Sequence, residues 1–529
     1  MSHHTSRRAA ATALAGALAL AAPGAVAAPA PEKGAGPSGT AITQAVSAEQ
    51  VTAHLKVLQA VTTANAGTRA SGTPGYRASV DYVVGRLRAA GYAPQIQAFD
   101  FPYFAEAVPT TVTVPGAGGI PRRLSTEEAA VMVFSGSGTV TAPVQAVDTT
   151  GERIAGTSGC EAEDFAAFTA GSIALLQRGT CSFAQKAANA QAAGASAVLI
   201  FNTGLPEEEG VVAGTLGEPG LVSIPVVGLS YAAGTALLGG SEVTVAAQTV
   251  SESRTTYNVL AETGTGSPEN TVMVGAHLDS VPEGPGINDN GTGSAGILAI
   301  AEALAGEQTA NRVRFAWWGA EESGLLGSKH YVAGLKAGDP AALEDVALYL
   351  NFDMIGSPNY GRFVYDGDHS AFPPVPTPEG GTVTAPAGSA AIEAAFHEHF
   401  GSVGLASGET EFSGRSDYGP FIAEGVPAGG LFTGAEGIKT VEQAALFGGR
   451  AGIAYDFCYH LPCDDVSNVN AQGLEEMTDA AAAVVLRFAT SVQELEDGVA
   501  APDQDATGDA GTRDQGQGMG SRAHEHAGS

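Results

Sequence analysis

Apolar residues at helical spacing occur near both ends of the chain. SAEQVTAHLKVLQAVT begins at Ser47 with a glutamine three residues later, a pattern typical of a capped helix start, and apolar residues then recur every third or fourth position. TPGYRASVDYVVGRLRAAGY has one apolar face and ends at Gly91. LEEMTDAAAAVVLRFATSVQEL keeps the same spacing from Leu474 to Leu495. We predict an amphipathic helix in each of these three segments.

Short apolar runs alternate with helical patterns between residues 271 and 497. TVMVGA, VRFAWWG and VALYLNF indicate strands, and TGSAGILAIAEALAG and SGLLGSKHYVAGL indicate helices between them. Such alternation is typical of an α/β fold with a mostly parallel central sheet flanked by helices.

Residues 121–249 have a different pattern, in which shorter apolar runs alternate with glycine-rich turns. SIALLQRG, FAQKAANAQAAGA, SAVLIFNTG and IPVVGLS predict strand, helix, strand and strand, a smaller α/β unit of its own. The simplest interpretation is an insertion. One larger domain comprises residues 46–120 and 250–497, and the module of residues 121–249 interrupts it.

The two termini lack these patterns. Residues 1–28 combine a basic start, an apolar run and an Ala-Val-Ala site at 25–27, which is typical of a secretory signal peptide and too short for a membrane span; a disordered alanine-rich tail is the alternative. Residues 29–45 are rich in Pro, Gly and Ala and are interpreted as a linker. Residues 498–529 are polar and are predicted to be disordered. We expect a secreted protein without a membrane anchor.

Charge narrows the range of partners. The 529 residues include 25 Lys+Arg against 56 Asp+Glu, a formal net charge of −31. Such a surface repels phosphate backbones, so nucleic acid is excluded as an expected partner.

The chain has four cysteines, Cys160, Cys181, Cys458 and Cys463, which allow three pairings. Export makes disulfides the expected state. We favour the local pairing, Cys160 with Cys181 and Cys458 with Cys463, because it closes short loops within separate domains. Four free buried thiols are the alternative.

Candidate metal ligands follow three successive predicted strands. His277 ends the first strand, Glu321 and Glu322 follow the second, and Asp353 follows the third, while Asp289 lies in the loop after the first. Singly, each has an ordinary explanation: a core histidine, a helix cap, a solvated turn or a buried acid. Together they would concentrate acids at one edge of the sheet, where open α/β sheets bind ligands. A metal would remove that repulsion.

The donor types suit zinc. Imidazole and carboxylate are zinc ligands, and an excess of carboxylates without a thiolate favours two metals with Asp289 as the bridge. FCYHLPCDD supplies a further histidine, His460, between Cys458 and Cys463. A disulfide there would hold the loop of His460 rigidly, as a metal ligand requires.

Five motifs resemble those of the secreted bacterial di-zinc aminopeptidases, whose superfamily includes glutamate carboxypeptidase and the transferrin receptor. They occur in family order within residues 271–497 and are HLDSV…GINDNGTGSAG, WWGAEESGLLGS, NFDMIG, SGRSDYGPF and CYHLPCDD. TRASGTPGY at residues 68–76 is also similar. LLQRGTCSFAQKAANAQAAGASAVLIFN, at about residues 174–202, resembles a protease-associated domain.

The resemblance implies roles for individual residues. His277, Asp289 and Asp353 would hold one Zn²⁺, and Asp289, Glu322 and His460 the other. The remaining implied roles are general base for Glu321, oxyanion stabiliser for Tyr459, orientation of His277 for Asp279 and substrate binding for Arg415.

We therefore expect a zinc-dependent aminopeptidase that acts on peptides with a free amino terminus and prefers apolar terminal residues. Phe421 and Phe432 are candidates for an apolar pocket. A carboxypeptidase or dipeptidase of the same superfamily is the alternative, and it would need a basic pocket, for which Arg415 is the candidate. An inactive receptor-like binding protein is least favoured, because all the ligands are present.

Overall fold

The computed structural model describes residues 46–377 and 381–496. The predicted signal peptide (1–28), linker (29–45) and tail (498–529) lie outside the described residues, so these three interpretations stay predictions. Within the described ranges, no helix is long and apolar enough to cross a membrane.

Twelve α-helices occur in the described part of the chain: α1 Ala48–Ala64, α2 Pro74–Ala89, α3 Phe183–Ala192, α4 Tyr231–Thr235, α5 Gly293–Leu304, α6 Leu326–Gly338, α7 Pro340–Glu344, α8 Ser389–Ser402, α9 Gly419–Ala423, α10 Val441–Phe447, α11 Ala471–Thr490 and α12 Gln493–Glu496. The strands are β1 Gln95–Pro115, β2 Pro121–Arg123, β3 Ala129–Val131, β4 Gly138–Ala146, β5 Ile173–Gln177, β6 Ala197–Phe201, β7 Val226–Leu229, β8 Glu242–Glu262, β9 Ser267–His277, β10 Asn311–Trp318, β11 Val346–Phe352, β12 Phe363–Tyr365, β13 Val375–Pro376, β14 Thr382–Val383, β15 Gly408–Thr410 and β16 Ala428–Phe432.

The sheet has a parallel centre with antiparallel strands on both sides. β10, β9, β11 and β16 are neighbours in that order and all run parallel. β8 pairs antiparallel with β10, and β12 pairs antiparallel with β16. The expected mixed α/β architecture with a central sheet and flanking helices is confirmed.

Helices bury both faces of this centre. α1, α2, α5, α8 and α11 pack on the face that carries alternate residues such as Val274, Phe315 and Leu350. Residues of α6, α7 and α9 pack on the opposite face, around Trp318 and Tyr349. Burial on both faces explains why these strands are nearly continuous apolar runs.

The predicted inserted module has its own hydrophobic core. β4, β5, β6 and β7 continue the sheet in that order, with parallel pairing from β4 to β7. The strands β1 and β8, 21 residues each, pair antiparallel from Gln95↔Leu260 to Thr113↔Thr244 and connect the module with the parallel centre. We did not predict these two strands from the sequence.

Local signals set the helix starts. The Ser47 side chain accepts a hydrogen bond from the Gln50 amide, as predicted, and Thr73 accepts one from the Tyr76 amide. Gly293 begins α5 where a Cβ atom would lie 2.1 Å from the Phe352 carbonyl oxygen. The absence of a side chain there lets α5 and the preceding residues, including Asp289, approach the end of β11.

Candidate metal centre

The carboxyl ends of three neighbouring parallel strands form the centre. β9 lies between β10 and β11, and His277 at the end of β9 is in register with Trp318 at the end of β10. Glu321 and Glu322 follow β10, and Asp353 directly follows β11. The order and direction of these strands therefore bring the side chains together, as the sequence predicted.

His277 faces two carboxylates. Its Nε2 lies 3.2 Å from Asp289 Oδ1 and 3.2 Å from Asp353 Oδ1. The other ring nitrogen, Nδ1, lies 3.2 Å from the carbonyl oxygen of Asp279, an arrangement in which Nδ1–H donates. That hydrogen bond leaves the Nε2 lone pair directed at the carboxylates.

His460 faces a second pair of carboxylates. Its Nε2 lies 3.1 Å from Asp289 Oδ2 and 3.3 Å from Glu322 Oε2. The two oxygens of Asp289 therefore point to different histidines. The ligand atoms of His277, Asp289 and Asp353 lie within 4.8 Å of one another, and so do those of Asp289, Glu322 and His460.

These residues fit zinc by the chemistry of their donors. Glu322 Oε1 is buried and lacks a hydrogen-bond partner among the described residues. Acceptor atoms that face one another in a buried site repel unless a cation or a proton lies between them. Imidazole nitrogens and carboxylate oxygens are zinc ligands. The same geometry offers two overlapping ligand sets that share Asp289.

The shifted pKa values of the site residues reflect the excess of carboxylates among them. Burial, aided by the neighbouring charge of Asp289, raises the pKa of Glu322 to about 7. Burial also raises the pKa of Glu321 well above its usual value. Burial alone would lower the pKa of His460, but hydrogen bonding to Asp289 and Glu322 raises it to about 11. Without a cation the site therefore holds protons that a divalent metal would replace.

Glu321 is placed beside the ligands and is 8% exposed. Its carboxylate belongs to a group with His277 and Glu322 whose potential ligand atoms lie within 4.8 Å of one another. Its amide donates to Asp279 Oδ1 at 3.2 Å. The Asp279 carboxylate itself lies 3.7 Å from His277 Nδ1, so the Asp279 carbonyl is the nearer contact of that ring.

Left-handed backbone conformations occur at one of the site residues, His460, and directly beside two others, Glu321 and Asp353. Ala320, Met354 and His460 have φ values of 54°, 53° and 57°. Non-glycine residues adopt this region at an energetic cost, and such residues cluster at functional sites because the surrounding structure holds them. Here they occur beside Glu321, beside Asp353 and at His460.

The other two predicted site residues differ in their surroundings. The Tyr459 ring stacks on the His460 ring, with centroids 3.9 Å apart. Burial, followed by the charge of Asp289, raises the pKa of Tyr459 well above its usual value, so the phenol stays protonated. Arg415 has an exposed side chain.

Sequence reasoning missed two residues that support the centre. Ser416, next to Arg415, donates to Asp353 Oδ2 at 2.7 Å and accepts from Asn351 Nδ2 at 2.9 Å. Arg69 is fully buried and donates to the carbonyls of Leu278, Pro285 (3.1 Å) and Gly286. The motifs SGRSDYGPF and TRASGTPGY contain both residues, but their spacing in the chain does not show these contacts.

The cysteines pair locally, in agreement with the prediction. Cys160 bonds Cys181 in the module, and Cys458 bonds Cys463 on either side of His460.

The two pocket candidates differ in burial. Phe421 has no exposed surface; it stacks on Tyr349 with ring centroids 4.3 Å apart. It belongs to the core beneath the sheet, because α9 turns its apolar face inward, whereas Phe432 is partly exposed.

Comparison with protein families gives two matches along the chain. Residues 258–485 match peptidase family M28, and residues 140–237 match the PA domain.

Two relatives illustrate the similarity in sequence. An aminopeptidase of Pseudomonas aeruginosa (strain UCBPP-PA14) is 46% identical over 472 residues, covering 88% of this chain and 85% of that protein. Leucine aminopeptidase 2 of Trichophyton rubrum is 48% identical over 345 residues, which are 64% of this chain and 66% of that protein.

Two solved structures resemble the fold. An aminopeptidase from Aneurinibacillus sp. strain AM-1 superposes with a TM-score of 0.61 at 24% identity, covering 85% of this chain and 95% of that one. A zinc aminopeptidase from Bacillus subtilis gives a TM-score of 0.55 at 25% identity, covering 84% and 95%.

Proposed function

The chain belongs to peptidase family M28 and is a zinc-dependent aminopeptidase with an inserted PA domain, and we propose that it is secreted, uses two Zn²⁺ ions and removes apolar residues from free amino termini. The observation that carries the two-metal part is the position of Asp289. Its two oxygens lie 3.2 Å and 3.1 Å from the Nε2 atoms of different histidines, as a bridging carboxylate requires.

The ligand sets follow from these contacts. His277, Asp289 and Asp353 would hold one ion, and Asp289, Glu322 and His460 would hold the other, since the potential ligand atoms of each set lie within 4.8 Å of one another. Bound zinc supplies Lewis-acid chemistry, because it polarises a peptide carbonyl and lowers the pKa of water to about neutral.

The side chains of this chain then move the proton and bind the substrate. Glu321 accepts a proton from the attacking water while the oxygen of that water adds to the carbonyl carbon of the substrate. The same proton goes to the departing nitrogen when the C–N bond breaks. The Tyr459 hydroxyl donates a hydrogen bond to the oxyanion that forms on the former carbonyl oxygen. Asp279 holds both His277 and the Glu321 amide in place.

Charge supports the choice of a free amino terminus. Four carboxylates line the centre, those of Asp289, Glu321, Glu322 and Asp353. A substrate ammonium would pair locally with Glu321 and Asp353; the two Zn²⁺ offset the summed charge of the four carboxylates, so the pairing depends on these two side chains and not on a net negative centre. Arg415 is the cation near the site that the carboxypeptidase alternative would use, and its exposed side chain suits a contact with the distal part of a peptide.

Two further features support the finer assignments. The Trichophyton relative is named a leucine aminopeptidase, which supports an apolar preference. Secretion is supported by the signal-like pattern of residues 1–28 and by the two disulfides, which persist in oxidising compartments.

A paired-peptide assay tests the proposal. One peptide with an amino-terminal leucine is compared with its N-acetylated form, with and without chelator, and products are identified by mass spectrometry. We expect release of leucine from the free peptide only, loss of activity on chelation, recovery with zinc, and two zinc atoms per chain by elemental analysis. Release of carboxyl-terminal residues, or equal rates on both peptides, would contradict the proposal. Full activity in verified metal-free protein would contradict it as well.

A further inference from the structure

Asp464 is a buried acid directly after Cys463, the residue that closes the disulfide loop of His460, and only 1% of its surface is exposed. The mechanism above does not use it, and its neighbour Asp465 is partly exposed. A buried carboxylate requires partners, and those of Asp464 include backbone amides that lie far away in the chain.

Three consecutive amides of the Asp289 segment donate to Asp464. The Ile287 amide donates to its carbonyl oxygen at 3.0 Å. The Asn288 and Asp289 amides donate to its Oδ1 at 2.8 Å and its Oδ2 at 3.0 Å. One residue thus accepts hydrogen bonds through all three of its oxygens from one short stretch of backbone.

That stretch needs such a partner because its backbone is irregular. Asp289 (φ −105°, ψ 96°) and Asn290 (φ −124°, ψ 48°) depart from helical geometry ahead of α5. Their neighbouring amides are buried, and a buried amide without an acceptor is costly. Asp464 supplies two carboxylate oxygens and a carbonyl oxygen as acceptors for these amides.

The proposed function provides the context for a specific role. We propose that Asp464 is a positioning residue that ties the Asp289 segment to the His460 loop and thereby sets the separation of these two zinc ligands. Asp289 and His460 are remote in sequence, yet His460 Nε2 lies 3.1 Å from Asp289 Oδ2. The hydrogen bonds of Asp464, four residues after His460, join the two segments.

A buried polar network holds Asp464 from its other side. Asn468 Nδ2 donates to Asp464 Oδ1 at 3.2 Å and to both oxygens of Asp456. Asp456 in turn accepts from the Cys458 amide at 2.8 Å and from Asn288 Nδ2 at 2.6 Å. The network therefore joins the start of the disulfide loop, its end and the Asp289 segment. Groups that orient metal ligands in this way typically change metal affinity 10–100-fold when mutated.

The test uses Asp464→Asn in the full-length protein. The change keeps the size of the side chain but turns one acceptor into an amide donor that faces a backbone N–H. Asp465→Asn is the matched control, because the Asp465 side chain accepts from Ser467 through Oδ1 and, among the hydrogen bonds of the described residues, has no bond to the Asp289 segment. Zn²⁺ affinity is measured by competition with a chromophoric chelator, and the absorption spectrum of the Co²⁺-substituted protein reports the ligand geometry.

We expect Asp464→Asn to weaken binding of at least one Zn²⁺ by about 10–100-fold and to change the Co²⁺ spectrum. Asp465→Asn should match the wild type in both. If Asp464→Asn does not fold, Asn468→Ala, which removes the donor shared by Asp464 and Asp456 but keeps the Asp464 carboxylate, should shift affinity in the same direction by less.

Wild-type affinity and an unchanged Co²⁺ spectrum in folded Asp464→Asn, or in Asn468→Ala where that variant replaces it, would overturn the positioning role and leave the aminopeptidase proposal standing. A purely structural role would lower the unfolding temperature without moving the spectrum of the folded protein, and this result would overturn it too. Absence of zinc binding in the wild type and in Asp465→Asn would instead overturn the proposed metal centre on which the role depends.

Discussion

At the scale of single residues, the adjacent acids Glu321 and Glu322 have different contacts in the proposed metal centre. Glu322 points at His460, with Oε2 3.3 Å from Nε2, whereas Glu321 has no contact with that ring in the described structure and donates its amide to Asp279. The left-handed backbone at Ala320 precedes both and turns them into the site. Two adjacent glutamates can therefore serve as proton carrier and ligand without competing.

Replacement of Glu321 by glutamine should separate these two parts. We expect Glu321→Gln to retain its zinc and to lose turnover by about 10²–10⁴-fold, because an amide cannot accept the proton from water. Glu322→Gln is the matched change and should lose zinc instead. Elemental analysis and steady-state kinetics on the two purified variants give the answer. Normal turnover in Glu321→Gln, or loss of its zinc, would show that the two roles are assigned wrongly.

At the scale of elements, strand order and loop closure bring the ligands together. β9, β10 and β11 are adjacent and parallel, so their carboxyl ends meet at one edge. His460 belongs to no strand and comes from a loop that the Cys458–Cys463 bond closes. The second disulfide, Cys160–Cys181, lies in the PA part of the chain and is remote from the ligands in sequence.

The two disulfides should therefore differ in their effects. Chain-entropy arithmetic predicts a loss of about 2 kcal/mol of unfolding free energy for Cys458→Ser/Cys463→Ser and about 3 kcal/mol for Cys160→Ser/Cys181→Ser, because the second loop is longer. We nevertheless expect only the first pair of substitutions to weaken zinc binding and activity, since only that loop carries a ligand. Denaturant titration and activity assays compare the variants. Greater loss of activity in the Cys160→Ser/Cys181→Ser variant would contradict this division.

At the scale of the whole molecule, the metal centre connects distant segments. The five residues proposed as its ligands come from the end of β9, the loop before α5, the segment after β10, the position directly after β11 and the loop before α11. Arg69, from the segment between α1 and α2, adds a further connection by holding the carbonyls of the loop after His277. Bound metal should thus act on the stability of the larger domain as well as on the reaction.

Removal of zinc should lower the thermal stability of the protein. A ligand that binds only the folded state adds about 2.7 kcal/mol of unfolding free energy per site when its free concentration is 100-fold above its Kd. We expect chelation to lower the Tm of the wild type, and added zinc to restore it. The same shift should occur in Glu321→Gln, which keeps all five ligands. Calorimetric scans with and without chelator measure it, and an unchanged Tm in metal-free protein would refute the connection.

The local sequence pattern was sufficient to predict several helices and the sheet edge at which the site residues lie. Capping residues and apolar periodicity predicted α1, α2 and α11, and the polar residues after β9, β10 and β11 marked the edge at which ligands gather. These signals are visible in one sequence because neighbours within a few residues determine helix starts and strand faces. The motifs then indicated the family, which the comparisons confirmed.

Tertiary structure alone decided the rest. β1 contains prolines and β8 contains a polar run, SESRTTYN, and each becomes a long strand because it pairs with the other, as Gln95 does with Leu260. Phe421 was a pocket candidate from its motif, but packing of α9 on the sheet placed it in the core. The contacts of Ser416 and Asp464 join residues that are far apart in the chain. Spacing in a sequence carries no information on such distances, because they depend on how separate elements pack, and that packing set the geometry of the ligands.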